Sequence, residues 1–152
     1  MTFSKILVPV DFSDCSTEAI RLGSELARRF EAKLTLLHVF QPFSYVIPDG
    51  YVLYSANQLG ALLSAFDAQL ASAKKEAEAA GAPAVTTTQL QGVPAQEISD
   101  LAKAEKFDLI VMGTHGRTGL QHVLLGSVAE RVVRHAECPV LTVRQAKPHD
   151  RR

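Results

Sequence analysis

A glycine-rich stretch in the last third of the sequence carries its strongest chemical signal. It reads Met112-Gly113-Thr114-His115-Gly116-Arg117-Thr118-Gly119, and Gly126-Ser127 follows after six residues. Glycine lacks a Cβ, so backbone N–H groups can converge there into an anion-binding nest. Gly126-Ser127 is placed to open a helix, whose first amides and positive dipole end favour a phosphate. The stretch therefore predicts a phosphate site, with His115 and Arg117 as further donors to a terminal phosphate.

The spacing of these residues is Gly-x2-Gly-x9-Gly-Ser. Two common phosphate motifs do not occur in the sequence: GxxxxGK followed by Ser or Thr, and GxGxxG after the first strand. The alternative interpretation is a glycine-rich turn that only reverses the chain.

The elements that must position this stretch follow an alternating pattern. Short apolar or β-branched runs predict strands over residues 6–10, 34–39, 84–90, 109–112 and 140–143. Helical periodicity predicts helices that begin at Ser13 or Asp14, at about Leu59, at Pro94 and at Gly126-Ser127. Strands joined by helices predict an α/β fold with a five-stranded parallel sheet, doubly wound by helices on both faces. In such sheets ligands bind outside the carboxyl ends of the strands, at the switch point.

Length and composition limit the classes of function. The chain has 152 residues, which predicts one domain over residues 1–145 with a polar tail at 146–152. Sixteen basic and sixteen acidic side chains exclude a nucleic-acid binder that works by bulk charge. No apolar run approaches the roughly 20 residues that span a bilayer, and two distant cysteines predict neither a disulfide scaffold nor a zinc site. We therefore expect a cytoplasmic protein that contacts neither membrane nor nucleic acid.

Residues 40–54 do not fit the alternating pattern. They contain five of the ten aromatic side chains of the chain, and they leave from the carboxyl end of the second strand. One interpretation is a lid or a partner surface; the other is a loop that packs its rings on the helices of the same domain.

The glycine pattern and several flanking segments resemble the ATP-binding type of universal stress protein. The matching segments are residues 5–13, 36–39, 92–94, 108–116, 126–130 and 138–143, so the resemblance covers nearly the whole chain except residues 40–54. It implies the adenine-nucleotide alpha hydrolase-like, Rossmann-like architecture with strand order 3-2-1-4-5. The last strand is then an edge, and its uncharged run from Val140 to Val143 predicts pairing with a second copy in a homodimer.

The resemblance also implies roles for individual residues. Asp11, the backbone at Pro9 and Val10, and Val39 would contact the adenosine. Met112 and Gly113 would approach the ribose and α-phosphate, while Gly116, Gly126, Ser127 and Val128 would hold the phosphates. Position alone independently selects Asp11, because it follows the first strand. The alternatives are a helix-cap or turn carboxylate for Asp11 and a purely structural role for Val39. His38, inside a strand run, is predicted to be a core or edge histidine.

The glycine-rich stretch and the resemblance together lead to three hypotheses about function. The first is an ATP-binding regulatory protein of the stress response that acts as a nucleotide-dependent switch or partner-binding module. The second is a slow ATPase, which is disfavoured because phosphoryl transfer needs a catalytic set that the sequence lacks around Asp11. The third is a nucleotide-free interaction module, which the intact glycine pattern disfavours. A divalent ion, Mg²⁺, is expected to arrive with the phosphates, because it uses one or two carboxylates plus substrate oxygens.

Overall fold

The computed structural model of the chain describes residues 2–41, 45–47, 50–52, 55–116 and 125–145. These residues form, in chain order, β1 (Lys5–Pro9), α1 (Asp14–Phe30), β2 (Lys33–Phe40), β3 (Tyr45–Ile47), β4 (Gly50–Val52), α2 (Ala56–Ala79), β5 (Ala84–Gln91), α3 (Pro94–Ala104), β6 (Leu109–Gly113), α4 (Ser127–His135) and β7 (Val140–Val143). None of the described helices is long and apolar enough to cross a membrane.

The main sheet has the order β5-β2-β1-β6-β7, and every neighbouring pair in it is parallel. Numbered along the chain, its five strands have the order 3-2-1-4-5, so the predicted topology is confirmed. The direction of winding changes between β1 and β6, and the carboxyl ends of these two strands therefore form the switch point.

Helices cover both faces of the sheet, as predicted for a doubly wound fold. On one face, α1 and α2 pack on alternate residues of β1, β2 and β6, Ile6 and Val8 among them. On the other, α3 and α4 pack on the intervening residues, such as Leu7 and Ile110. Because both faces are covered, the central strands are continuous apolar runs.

Local signals set the helix ends. The side chain of Ser13 accepts a hydrogen bond from the Ser16 amide and caps α1, and Pro94 occupies the first turn of α3. α2 begins at Ala56, three residues before the predicted start, because Ser55 and Gln58 form a reciprocal capping box.

The aromatic stretch holds a short antiparallel pair, β3 and β4, that the sequence analysis did not predict. The side chains of residues 42–54 lie outside the described part of the structure, as does the tail at 146–152. The two interpretations of this stretch therefore stay predictions.

Candidate functional site

The loops that follow β1 and β6 meet at the switch point. Asp11 lies two residues beyond β1, and Gly116 lies three beyond β6. A Cβ built on Gly116 would lie 2.8 Å from Oδ2 of Asp11, whereas ordinary contact begins at 3.4 Å. The topology thus brings together a carboxylate and a glycine loop that are distant in sequence.

One carboxylate oxygen of Asp11 shapes its own turn. Oδ1 accepts hydrogen bonds from the amide of Ser13, at 3.0 Å, and from the Ser13 hydroxyl. The interpretation of Asp11 as a turn carboxylate therefore holds for Oδ1. The other oxygen, Oδ2, lies next to Gly116, in the space that a Cβ on that residue would crowd, and the Asp11 side chain is half-buried.

The glycine-rich stretch is closed by a backbone hydrogen bond. The amide of Gly126 donates to the carbonyl of Thr114 at 2.7 Å, and the amide of Thr114 donates to the carbonyl of Val143 at 2.9 Å. The chain thus returns to the end of β6 at the point where α4 begins. A Cβ on Gly126 would lie 2.9 Å from the Thr114 carbonyl oxygen, which is backbone and cannot swing away.

The geometry shows why glycine is needed at position 126, and the expected role of Gly126 in holding the phosphates stays a prediction. Its φ of −70° suits any residue, so close approach to Thr114, and not a special conformation, requires glycine here. Its amide already donates to Thr114, so Gly126 brings α4 close to the strand end without offering that amide to an anion.

The first turn of α4 holds further amides beside the Gly126 amide that makes this closure. The first helical bond runs from the amide of Glu130 to the carbonyl of Gly126 at 2.9 Å, and no side chain caps the helix. Ser127 and Val128 therefore hold first-turn amides that have no partner within the helix. Ser127 is exposed and Val128 is half-buried.

Val10 and Met112 are only 4% and 5% exposed, so their side chains belong to the core. The amide of Val10 donates to Leu37 at 2.8 Å, and its carbonyl accepts from Nδ1 of His38 at 2.8 Å. A ligand would meet either residue at its backbone. Pro9 ends β1 and, like Val39, is half-buried; the Val39 side chain packs on the α3–α4 core, as its structural alternative predicts.

Packing within the fold requires a glycine at position 113, and the expected approach of Gly113 to the ribose and α-phosphate stays a prediction. A Cβ there would lie 2.8 Å from the Cβ of Cys15 and 3.0 Å from its carbonyl carbon, in the first turn of α1. The close packing of α1 on β6 therefore accounts for this glycine.

Of the two expected donors to a terminal phosphate, His115 and Arg117, the structure describes the first. His115 is half-buried, and its Nδ1 is hydrogen-bonded to the Thr114 hydroxyl at 3.0 Å. Arg117 lies outside the described residues, so its role stays a prediction. Within the described ranges, no three His, Cys, Asp or Glu side chains form a group that could hold a metal ion.

Sequence reasoning missed the ring cluster beside the site. Phe12, His38 and Phe66 lie in contact, with ring centroids 4.6 Å apart for Phe12 and His38 and 4.4 Å for His38 and Phe66. His38 is buried, as predicted. The signal for this cluster was available: an aromatic residue after β1 and a histidine on the adjacent strand.

Comparison with known proteins places this geometry in a family. The pattern of the universal stress protein family matches residues 2–144. A universal stress protein of Methanocaldococcus jannaschii is 42% identical over 148 residues, which cover 95% of this chain and 84% of that protein.

Solved structures of universal stress proteins have a similar fold. The universal stress protein UspA from Lactobacillus plantarum superposes with a TM-score of 0.79 at 33% identity, covering 95% of this chain and 99% of that one. A universal stress protein in complex with cAMP superposes with a TM-score of 0.75 at 27% identity, covering 96% and 100%. The chain described here belongs to the universal stress protein family.

Proposed function

We propose that this protein binds an adenine nucleotide, ATP, at the switch point between β1 and β6. One observation carries the proposal: the bond from Gly126 to Thr114 holds the uncapped start of α4 next to the contact between Asp11 and Gly116. Amides at a helix start and the positive end of the helix dipole together favour a phosphate. The complex of a similar universal stress protein with cAMP supports an adenine nucleotide as the ligand.

On the adenosine side of the proposed site, Asp11 is the polar group. Its Oδ1 is used by the Ser13 turn and its Oδ2 lies next to Gly116, and a carboxylate oxygen accepts hydrogen bonds from ribose hydroxyls. Pro9 and Val10 would contribute backbone surface. Val39 would contribute an apolar edge, because it is only half-buried.

On the phosphate side, the amides of Ser127 and Val128 are the donors that the structure favours, and the Ser127 hydroxyl adds another. Gly116 leaves the space between the loop and Asp11 open. His115 and Arg117 are proposed to reach the terminal phosphate. Mg²⁺ is proposed to arrive with the phosphates, because this ion is commonly bound by one or two carboxylates together with phosphate oxygens.

We infer a regulatory role, as a nucleotide-dependent switch or partner-binding module of the stress response in the cytoplasm. Both cysteines are free thiols, which suits a reducing compartment. A slow ATPase is the second candidate, since Asp11 places a carboxylate near the glycine-rich loop. We expect any hydrolysis to be slow, because phosphoryl transfer also needs a residue that orients the attacking water.

We further propose that two copies pair through β7. This strand lies at one edge of the sheet, and Leu141 in it is 38% exposed although it is large and apolar. An exposed apolar edge strand is a template for pairing with another chain, and twofold symmetry is the most common way to close it.

The experiment that tests the proposal identifies the ligand directly. Freshly purified protein is denatured, and the small molecules that it releases are identified by mass. Calorimetric titration of ligand-free protein with ATP, AMP, cAMP and adenosine then ranks the affinities. Tighter binding of ATP than of adenosine supports the proposal; no binding of any of the four supports a nucleotide-free interaction module.

A further inference from the structure

The backbone of Phe12 has an unusual conformation at the edge of the site. Its φ is +63°, in the left-handed region that residues with a Cβ seldom adopt. Two other described non-glycine residues share this feature, Glu31 and Lys106. Both lie at the carboxyl end of a helix, where a left-handed residue is common, whereas Phe12 precedes a helix.

The Phe12 ring is held from two sides. It lies 4.6 Å from the His38 ring and 6.2 Å, nearly parallel, from the Phe66 ring of α2, measured between centroids. His38 also donates from Nδ1 to the carbonyl of Val10, which identifies the protonated nitrogen, because a carbonyl only accepts. His38 thus contacts the residue before Asp11, through the Val10 carbonyl, and the residue after it, through the Phe12 ring.

Asp11 is therefore fixed from both directions. Val10 is held through its amide and its carbonyl, and Ser13 donates twice to Asp11 Oδ1. Between these points Phe12 has the strained, left-handed backbone conformation. Such strain persists where the surrounding contacts over-determine the backbone.

We propose that Phe12 is a positioning residue, whose ring locks the strained turn and so aims Asp11 Oδ2 toward the Gly116 loop. This inference rests on the proposed nucleotide site, because Asp11 is its adenosine contact. Phe12 itself acts through Asp11 and need not touch the ligand.

The first test needs no ligand. The Ser13 amide donates to Asp11, so its hydrogen exchange reports whether the turn is intact. In Phe12→Ala we expect this exchange to accelerate at least about tenfold. Phe30→Ala is the matched control: Phe30 is also a half-buried phenylalanine packed on the α1–α2 core, but its ring contacts Phe3. We expect Phe30→Ala to leave the exchange of the Ser13 amide unchanged. If Phe12→Ala also leaves it unchanged, the proposal that the Phe12 ring locks the turn is refuted.

The second test measures ATP affinity by calorimetry. We expect Phe12→Ala to weaken ATP binding at least about fivefold and Phe30→Ala to change it less than about twofold. In an Asp11→Ala background the effect of Phe12→Ala should disappear, since the two residues act as one unit. Equal losses in both backgrounds would overturn the proposal, because a general structural effect does not depend on Asp11.

If Phe12→Ala does not fold, Phe12→Leu keeps the apolar bulk without a flat ring and enters both tests with the same expectations. Failure of wild-type protein to bind adenine nucleotides would remove the proposed function. Ser13 exchange would still decide whether Phe12 holds the turn.

Discussion

The substitution Gly126→Ala adds one methyl group at the closure of the glycine-rich stretch. The new Cβ would lie 2.9 Å from the Thr114 carbonyl oxygen and 3.6 Å from the Cα of His115. Both are backbone atoms, so relief requires α4 to move away from the end of β6. That movement also lengthens the 2.7 Å hydrogen bond between the Gly126 amide and Thr114.

The size of the effect follows from these contacts. Overpacking typically costs about 1–3 kcal/mol, so we expect the free energy of unfolding to fall by that amount. A hydrogen bond to a charged group contributes about 1.5–3 kcal/mol, so misplacing one amide of Ser127 or Val128 should weaken ATP binding at least about tenfold. Adenosine affinity should fall less, because adenosine has no phosphate.

The assay combines thermal unfolding with calorimetric titration by ATP and adenosine. Gly60→Ala is the control, since a Cβ on Gly60, inside α2, has nothing within 4 Å. It should stabilise the protein by about 0.5–1 kcal/mol through helix propensity and leave ATP affinity unchanged. Gly126→Ser distinguishes the effect of crowding from the effect of helix capping. Serine caps helices well but still carries a Cβ, so a loss of stability in this variant as well would be due to crowding.

Two results would refute this reasoning. If Gly126→Ala is as stable as wild type, the closure is not tight. If the variant is destabilised but binds ATP as wild type does, the start of α4 does not hold the phosphates, and the glycines only turn the chain.

Three further outcomes are expected. Gly116→Ala should weaken ATP and adenosine binding together, because its Cβ presses on Asp11 Oδ2; in an Asp11→Ala background titration should show no additional loss, and a loss of ATP affinity alone would contradict the contact. Leu141→Lys should convert a dimer to a single chain of 16.5 kDa by light scattering; a wild type that already has this mass would remove the dimer proposal. Steady-state ATP turnover should stay below about 1 s⁻¹, the lower end of typical enzymes, and faster turnover would reveal a catalytic group beyond Asp11.

The parallel α/β sheet was predictable from the sequence pattern, whereas the strand order that places β1 beside β6, and so brings the two loops together, was implied by the family resemblance. Apolar runs separated by helix-length segments leave few arrangements, and a parallel sheet brings the ends of β1 and β6 to one edge. The early start of α2 was missed because its first turn is exposed and adds nothing to apolar periodicity. The pair Ser55 and Gln58 was the available signal.

The reasons for the glycines of the motif were not predictable, because sequence does not show which neighbouring atoms come close to each of them. Gly113 gives space to the first turn of α1, and Gly126 gives space to a carbonyl oxygen. Gly116 leaves room for a carboxylate. A motif of glycines therefore predicts where the backbone comes close to another part of the protein, and the structure identifies that part.

Thr114 shows why the proposed site and the fold must be tested together. Its amide bonds to Val143 in β7, and its carbonyl bonds to Gly126 at the start of α4. It is 3% exposed, so neither bond is weakened by water. The same residue thus joins the proposed phosphate loop to the edge strand proposed for pairing. A change in affinity at this loop is informative only beside a measured change in stability, because both depend on the same two hydrogen bonds.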